Sequence, residues 1–309
     1  MTPCTELEAR APLKNTRQRY SMDFVTLIGA VVCVAFGCMV SSQARDQERL
    51  ISRGETPQAQ RADIIDTSPW ADVLRDVVRG ERVIYTQLKD PDTKAKLDHF
   101  VNALQAPLPQ GASRPARLAY WINAYNALIL RHVMRYPELS SVATAVPQAP
   151  RYTFFTQNIH LVAGRRRSLD EIEHHILRPH FKDPRVHAAL NCASRSCPPL
   201  SATPYRAHMI DAQLNEVTRR FVNDRRRNRF DTYPPRLSKI FSWFAEDFTQ
   251  DQDTKSPSSS GAHQGVTHFI RRFADAKNLQ LIENLWPKQT GAIEIQFDEY
   301  DWALNGPRP

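Results

Sequence analysis

The sequence predicts an α+β fold, a single domain of several helices packed on a small mixed sheet, behind an N-terminal signal or anchor segment. Apolar residues recur at helical spacing in several segments, most clearly over 116–136. Two other runs, 152–162 and 292–297, are rich in aromatic and β-branched residues, which is typical of strands. With 41% hydrophobic and 24% charged residues the composition is that of a globular chain, and no internal repeat divides it.

The N-terminus carries an uncharged run, FVTLIGAVVCVAFGCMV (24–40), between a basic stretch and SSQARDQ. This order is typical of a secretory signal peptide cleaved after Ala44, and the run is also just long enough for a membrane-spanning helix. Residues 1–44 are therefore predicted to be a signal peptide or a membrane anchor. The basic residues before the run predict an exported body, either periplasmic or anchored in the cytoplasmic membrane with the body outside. A lipoprotein site at Cys38 and a buried helix of a cytoplasmic protein are the alternatives.

The rest of the chain divides into a polar stalk, residues 45–69, and one α+β domain, residues 70–309. Within the domain, QDQDTKSPSSSGAHQG (250–265) has the composition of a low-complexity surface loop. Periodicity and turn residues predict, in chain order, helices 70–88, 91–104 and 116–136, a strand or hairpin 152–162, a helix 168–177, a strand 185–191, a helix 206–222, a strand and helical turn 236–248, a helix 268–274 and a strand 292–297.

The helix that begins at Ser168 has the strongest local start signal. Ser168 and Glu171 form a capping-box pair, and Pro179 is expected to stop the helix near Leu177. This helix carries His174 and, one turn later, Arg178. It should pack close to the RVHAALN segment that precedes the cysteines.

Net charge is +8, and it is concentrated in arginine runs. Such runs can attract phosphates, nucleic acid or an anionic membrane, but they are more often a solvated surface. Because no aromatic interleaving or nucleic-acid motif accompanies them, we expect no nucleic-acid partner. The runs are Arg165–Arg167, Arg219–Arg220, Arg225–Arg227 with Arg229, and Arg271–Arg272.

The segment LNCASRSCPPL (190–200) places Cys192 and Cys197 in a loop of small residues after a predicted strand. In an oxidising compartment two such thiols are a candidate disulfide. Alternatively, Cys192 is a nucleophile, because strand-end loops often present reactive groups and loop amides can donate to an oxyanion. A redox pair is disfavoured, since the motif is not C-x-x-C.

A cysteine nucleophile needs a base, and two histidines compete for that role. If residues 186–191 are extended, His187 lies about 16 Å from Cys192 and on the opposite face of the strand. His174, on the preceding helix, is then the better candidate. With the two cysteines these histidines also offer four zinc ligands, but C-x4-C is at the edge of zinc spacing and we expect no metal or other cofactor.

Asn123 and Asn126 lie three residues apart in the strongest helix, away from its apolar stripe. Asparagine is not a good helix former, so two of them in one helix indicate polar contacts inside or beside the fold. Two solvated asparagines are the alternative reading.

Five motifs in order resemble domain-of-unknown-function family 547: YWINAYNALIL, SLDEIEHHILR, VHAALNCASRSCPPL, LSKIFSWFAEDF and EYDWALN, spanning about 70–304. The family's activity is not established, and bacterial members similar to this chain are often exported. The resemblance implies that the first cysteine position is more general than the second, which argues against a purely structural disulfide. Its signature residues correspond here to Trp121, Asn123, Tyr125, Asn126, His174, Arg178, His187, Cys192, Ser196 and Cys197.

Two functional hypotheses follow. In the first, the chain is an exported thiol-dependent hydrolase or transferase with catalytic residues Cys192, His174, Asn123 and Asn126, and with a substrate contacted by Arg178, His187, Ser196, Cys197 and Trp121. In the second, it is a non-catalytic envelope binding module with a Cys192–Cys197 disulfide. Partners would be an unknown substrate or envelope component, and the membrane if the N-terminal segment is uncleaved.

Overall fold

The computed structural model describes residues 62–146, 148–249, 259–286 and 293–309, which belong to one compact unit. Helices dominate this part of the chain. The strands form three separate two-stranded pairs, β1–β2 and β3–β4 antiparallel and β5–β6 parallel. The α+β class is confirmed. The single mixed sheet was wrong, because each strand is only two or three residues long and the helices pack mainly on one another.

The N-terminal part of the domain is a helix, a small hairpin and a second helix. The predicted helix over 70–88 ends early, since the chain turns at Gly80, whose φ of 62° favours glycine. The second helix begins where the Asp90 carboxylate accepts a hydrogen bond from the Thr93 amide at 2.9 Å. The elements are α1 (Ser68–Val77), β1 (Val78–Arg79), β2 (Arg82–Val83), a 3₁₀ turn (Tyr85–Lys89) and α2 (Pro91–Ala103).

The end of the predicted stalk contacts the domain. Asp63 accepts a hydrogen bond from the Ala207 amide at 2.7 Å and pairs with Arg206 at 3.3 Å. The rest of the stalk and the 24–40 run lie outside the described residues. Within the part of the chain that is described, no helix is long and apolar enough to cross a membrane.

The helix predicted over 116–136 is α3 (Arg114–Val133), and it is the central helix of the domain. It is buried on nearly every face, which is typical of a core helix rather than an amphipathic surface helix. Trp121 is 5% exposed and lies within this core, with the Arg167 guanidinium 5.4 Å from its ring. Trp121 therefore serves packing.

Asn123 and Asn126 are buried in α3, and both side chains bridge to backbone. The Asn126 amide donates to the Ala189 carbonyl at 3.0 Å and accepts from the Asn191 amide at 2.9 Å. The Asn123 side chain makes the same two-way contact with Tyr205, at 2.7 and 2.9 Å. These bridges satisfy backbone groups that have no helix or sheet partner, and they tie the segments before and after the cysteines to the core.

Two expectations between residues 150 and 190 were wrong. Residues 153–156 are helical, so the hairpin begins only at His160 and turns at Ala163 and Gly164. The RVHAALN segment is a helical turn, because Pro184 opens it and Ala188 and Ala189 favour helix. The elements are α4 (Thr153–Thr156), β3 (His160–Val162), β4 (Arg165–Arg167), a π-helical segment (Glu171–Leu177), α5 (Arg178–Phe181) and α6 (Val186–Ala189).

One half of the predicted capping box is present, since the Ser168 hydroxyl accepts from the Glu171 amide at 2.9 Å, while the Glu171 carboxylate pairs with Arg167. Pro179 does not stop the helix at Leu177. The segment before it is π-helical, so the Arg178 amide donates to the Glu173 carbonyl five residues back, and the helix continues to Phe181.

The C-terminal half forms a second apolar core around Phe241, Phe248 and Phe269. Residues 259–265 of the predicted loop begin a helix instead, and Gly265 packs so closely that a Cβ there would lie 2.8 Å from the Phe248 carbonyl. A helix capped by Asp275 was not predicted. The elements are a 3₁₀ turn (Ala207–Met209), α7 (Ile210–Val222), β5 (Arg236–Leu237), α8 (Lys239–Trp243), a 3₁₀ turn (Asp247–Thr249), α9 (Ser259–Phe273), α10 (Ala276–Leu285) and β6 (Gln296–Phe297).

The longest arginine run is engaged in ion pairs. Arg225 pairs with Asp231, Arg226 and Arg227 both pair with Asp224, and Arg229 pairs with Asp298. The run is therefore not a uniformly solvated surface: Arg225 is exposed, whereas Arg227 is buried and donates to the Arg195 and Cys197 carbonyls at 3.1 and 2.8 Å.

We predict that Asn126→Ala lowers the free energy of unfolding by about 2–4 kcal/mol, because the Ala189 carbonyl and the Asn191 amide are left buried without a partner. Urea unfolding at neutral pH measures the loss. Asn158→Ala, at an exposed position, is the control and should change stability by less than about 0.5 kcal/mol. Equal effects of the two variants would contradict the bridging role.

A second buried polar pair joins α3 and β3. His132 is fully buried, and its ring lies 5.1 Å from that of His160. Neither ring nitrogen of His132 has a hydrogen-bond partner among the described residues. Burial lowers the pKa of His132 to about 3 and that of His160 to about 4, with His160 and nearby arginines adding to the effect.

This pair predicts acid sensitivity. In the unfolded chain a histidine has a pKa of about 6.5, so between pH 6.5 and 4 it binds a proton there but not in the folded protein. Protonation therefore favours the unfolded state, and stability falls as the pH drops from about 6.5 toward 4. We expect a loss of up to about 1.4 kcal/mol per pH unit for each histidine. His132→Phe should remove one histidine's share of the slope in urea unfolding between pH 7 and 4.5, whereas exposed His175→Gln should not. An unchanged slope in His132→Phe would refute the assignment.

Candidate functional site

A cleft of about 450 Å³ opens beside the cysteine loop, defined here as residues 191–198. Its walls are mostly aromatic, and its polar groups come from three separate parts of the chain. The aromatic lining is Tyr125, Tyr152, Phe155, Trp243, Phe244, Tyr300 and Trp302. The polar lining is Thr156, Asp170, Glu173, His174, His187, Cys192 and Cys197.

The cysteine loop is braced by the terminal segment, defined here as residues 298–306. The Arg195 amide donates to Ala303 at 2.8 Å, the Ser196 amide donates to Asp301 at 3.2 Å, and the Asn305 amide donates to Ala193 at 3.0 Å. Ala193 has a φ of 65°, a left-handed conformation that a residue with a side chain adopts at some cost. The brace holds the loop in that conformation and carries Tyr300 over it.

The Cys192 sulfur lies against two hydroxyl groups. Its Sγ is 3.0 Å from the Ser194 Oγ and 3.2 Å from the Tyr300 hydroxyl, and these two oxygens are 3.0 Å apart. Each hydroxyl has one proton. Tyr300 donates to Sγ, and the Ser194 proton can go either to the Tyr300 oxygen or to Sγ, so an ionised sulfur can accept from both hydroxyls. This arrangement suits a thiolate.

The electrostatics agree with the geometry. Burial opposes ionisation of Cys192, but hydrogen bonds from Cys197, Ser194 and Tyr300, and from the Ser194 amide, offset it and hold the pKa of this thiol below its ordinary value. Burial and the neighbouring Cys192 charge raise the pKa of Cys197 and of Tyr300 well above their ordinary values. Cys192 is thus the group that ionises, and Tyr300 keeps the proton that it donates.

Both loop cysteines are free thiols in the structure. The Cys192 amide donates to the Cys197 sulfur at 2.9 Å, and the Cys197 thiol donates to the Leu190 carbonyl at 3.5 Å. Cys197 therefore closes the loop by hydrogen bonds. Among the described residues, no group of three or more His, Cys, Asp or Glu side chains could hold a metal ion.

The loop amides do not form the oxyanion site that the sequence allowed. The amides of Cys192 and Ala193 donate within the loop, to Cys197 and to the Asn191 side chain. Those of Arg195 and Ser196 donate to the terminal segment. The loop closes on its own side chains and on its brace, which leaves the Ser194 amide directed at the Cys192 sulfur.

His187 lines the cleft with Cys192, as its predicted role as a substrate contact requires, although it lies on a helical turn and not on the expected strand. Its Nε2 lies 2.7 Å from Asp247, and its ring stacks on Phe244 with centroids 4.0 Å apart. Because the carboxylate accepts, Nε2 carries the proton and Nδ1 is left as the basic nitrogen.

Asp247 is the centre of this polar group. Arg178 contacts both of its oxygens, with Nε 2.6 Å from Oδ2 and Nη2 3.1 Å from Oδ1, and Oδ2 is the oxygen that also accepts from His187. Despite the opposing effect of burial, hydrogen bonds from His187 and Arg178 lower the pKa of Asp247 to about 2. Arg178 thereby acts on Asp247, and it is not among the residues that line the cleft.

His174 also lines the cleft, but both of its nitrogens are engaged. Its Nδ1 lies 3.1 Å from an Arg178 nitrogen, which can only donate, so the proton of the neutral ring sits on Nε2. That nitrogen faces Asp170 at 3.7 Å. The arrangement leaves His174 no basic lone pair for a thiol, whereas His187 has one.

The remaining predicted site residues lie elsewhere. Asn123 and Asn126 use their amides on backbone, so they do not serve as orienting groups or oxyanion donors for Cys192. Trp121 belongs to the core, and Ser196 accepts from the Asp301 amide at 2.9 Å as part of the brace. The structure instead adds Ser194, Asp247 and Tyr300. Asp247 and Tyr300 lie in the motifs LSKIFSWFAEDF and EYDWALN. These motifs were the signal in the sequence from which the two residues could have been predicted.

These features define a helix-rich α+β domain with an ionisable cysteine and a His–Asp pair on one aromatic cleft. Residues 109–222 match the model of the family described as "Protein of unknown function, DUF547", which supports assigning this part of the chain to that family. The match includes Cys192, His187 and His174 but neither Asp247 nor Tyr300. No curated protein and no solved structure matches the chain.

We predict that Tyr300→Phe raises the pKa of Cys192 by about 1 unit, because a hydrogen bond to a charged acceptor contributes about 1.5–3 kcal/mol and one pKa unit corresponds to about 1.4 kcal/mol. The rate of Cys192 alkylation by iodoacetamide, followed from pH 5 to 10 by peptide mass spectrometry, reports the pKa. Tyr152→Phe, in the same cleft but not at the sulfur, is the matched control. Superimposable profiles for the two variants would argue against the hydrogen bond.

Proposed function

We propose that the protein is a thiol-dependent acyl hydrolase or acyltransferase in which Cys192 is the nucleophile. The observation that carries the proposal is the Cys192 sulfur in the wall of an open cleft, accepting hydrogen bonds from Ser194 and Tyr300 and having a lowered pKa. A cysteine buried only for packing would have its pKa raised, as Cys197 does.

His187 is the proposed base, in place of His174. It lines the cleft with Cys192, it is oriented by Asp247, and its Nδ1 is not used in that contact. This is the logic of a nucleophile–histidine–carboxylate triad, in which the acid holds the tautomer and stabilises the protonated ring. Arg178 holds the Asp247 carboxylate by hydrogen bonds, and Phe244 stacks on the His187 ring.

In the acylation step, His187 takes the thiol proton and the Cys192 sulfur attacks the substrate carbonyl carbon. A C–S bond forms, the bond to the leaving group breaks, and the leaving group takes the proton from His187. Water or another acceptor then attacks the thioester and gives its proton to His187, and Cys192 leaves as a thiolate. As negative charge moves from sulfur to the carbonyl oxygen, the Tyr300 hydroxyl is the donor already in place.

Export remains part of this proposal and rests on the N-terminal sequence alone. The second hypothesis, an envelope binding module with a Cys192–Cys197 disulfide, is the outcome that an oxidised pair would support.

The test uses 4-nitrophenyl acetate as an acyl donor. We expect a burst of about one 4-nitrophenolate per chain, a 42-Da acetyl adduct located on Cys192 by peptide mass spectrometry, and slower turnover. Asp247→Asn should slow acylation by about 100-fold or more, because His187 loses the group that fixes its tautomer.

Cys197→Ser and His174→Gln are the controls that separate this mechanism from its rivals. Cys197→Ser should keep the burst, since the second cysteine is not the nucleophile. His174→Gln should slow acylation far less than His187→Gln does. A chain whose two cysteines react only after reduction, or an acetyl adduct on surface lysines alone, would sink the proposal.

A further inference from the structure

The cleft has a charge opposite to that of the molecule. The chain carries a net +8, yet among the described residues the cleft lining contains two carboxylates, Asp170 and Glu173, and neither lysine nor arginine. The Cys192 thiolate adds a third negative charge in the same space. Arg178 stands behind this lining with its charge balanced by Asp247.

The carboxylates keep capacity for a ligand. Asp170 is 39% exposed, and its contact in the lining is the His174 nitrogen at 3.7 Å. Glu173 accepts one hydrogen bond through Oε2, from the Tyr125 hydroxyl at 3.1 Å. This bond does not use Oε1, which can accept from a ligand. Arg165 and Arg167 pair with Glu171, on the neighbouring position of the same helix, and not with these two.

The same cleft has an aromatic wall, defined as Tyr152, Trp243, Tyr300 and Trp302. The rings touch in sequence: Tyr152 lies 4.9 Å from Trp302, Trp302 lies 5.6 Å from Trp243 in a stacked arrangement, and Tyr300 contacts both. Trp243 is 43% exposed and Tyr152 is 39% exposed, which is unusual for such large apolar groups.

An exposed aromatic face attracts a cation through the ring quadrupole, and indole does so most strongly. Carboxylates that line the same cleft reinforce the attraction and repel anions. A neutral apolar ligand would fit the wall but would leave the two carboxylates desolvated without a partner, which is costly.

We propose that the cleft selects acyl substrates that carry a cationic group, such as a quaternary ammonium or an alkylated amine, and excludes anionic ones. The inference deepens the proposed function and rests on it, because the cation is placed next to the reacting Cys192. The cationic group would lie between the aromatic wall and the two carboxylates, with the carbonyl carbon presented to the sulfur.

The test uses Cys192 as its own reporter with three methanethiosulfonates. The cationic reagent is the 2-(trimethylammonium)ethyl compound, the anionic reagent is the 2-sulfonatoethyl compound, and the neutral reagent is the methyl compound. In each case the thiolate attacks the sulfenyl sulfur, a disulfide forms, and methanesulfinate leaves. Second-order rates on the full chain are read by peptide mass spectrometry at Cys192 and divided by the rates for free glutathione.

We expect the normalised cation-to-anion ratio to be about tenfold or more at low salt, and to fall as salt rises. Asp170→Asn combined with Glu173→Gln should bring the ratio down several-fold toward that of glutathione. Trp243→Leu should slow the trimethylammonium reagent alone. Glu283→Gln, a carboxylate outside the cleft, is the matched control and should leave the ratio unchanged.

The outcomes separate the two proposals. If the neutral reagent modifies Cys192 quickly while the cation-to-anion ratio equals that of glutathione, the cationic substrate is refuted and the thiol chemistry stands. If no reagent modifies Cys192 faster than glutathione at pH 7, the nucleophile proposal fails and the substrate inference fails with it.

Discussion

The site depends on the hydrogen-bonded contact between the cysteine loop and the terminal segment. Three backbone hydrogen bonds join them, and the buried Asn305 links this contact to Asn191 at 3.1 Å and to Tyr85 at 2.7 Å. The loop cannot keep the left-handed Ala193 by local preference, so the brace supplies the energy that holds it. The same segment delivers Tyr300, so that loop shape and thiol ionisation have one structural origin.

A second polar connection joins the two apolar cores. Asp247, from the C-terminal core, reaches His187 and Arg178, which belong to the central part of the domain. A buried carboxylate is stable there only because two donors offset its desolvation. The position of His187 in the cleft lining therefore depends on both cores being assembled, although the segment matching the family model contains neither Asp247 nor the terminal segment.

Much of the helical structure could be predicted from the sequence. The spacing of apolar residues located α2, α3 and α7, and the Ser168–Glu171 pair located a helix start, because these signals are local. The RVHAALN segment was wrongly predicted to be a strand, because a short buried apolar run is compatible with either a strand or a helical turn. Its misassignment moved His187 to the wrong face and made His174 the predicted base.

By itself the sequence indicated the family resemblance, the α+β class and the cysteine loop as a candidate site, since all of these depend on residues that are adjacent or periodic in the chain. Only the tertiary structure decided which residues serve that loop. Tyr300 is 108 positions from Cys192, and Asp247 is 60 from His187. Hydrogen bonds of this separation arise only when the helices have packed, and the charge of the cleft depends on which side chains that packing turns toward the sulfur.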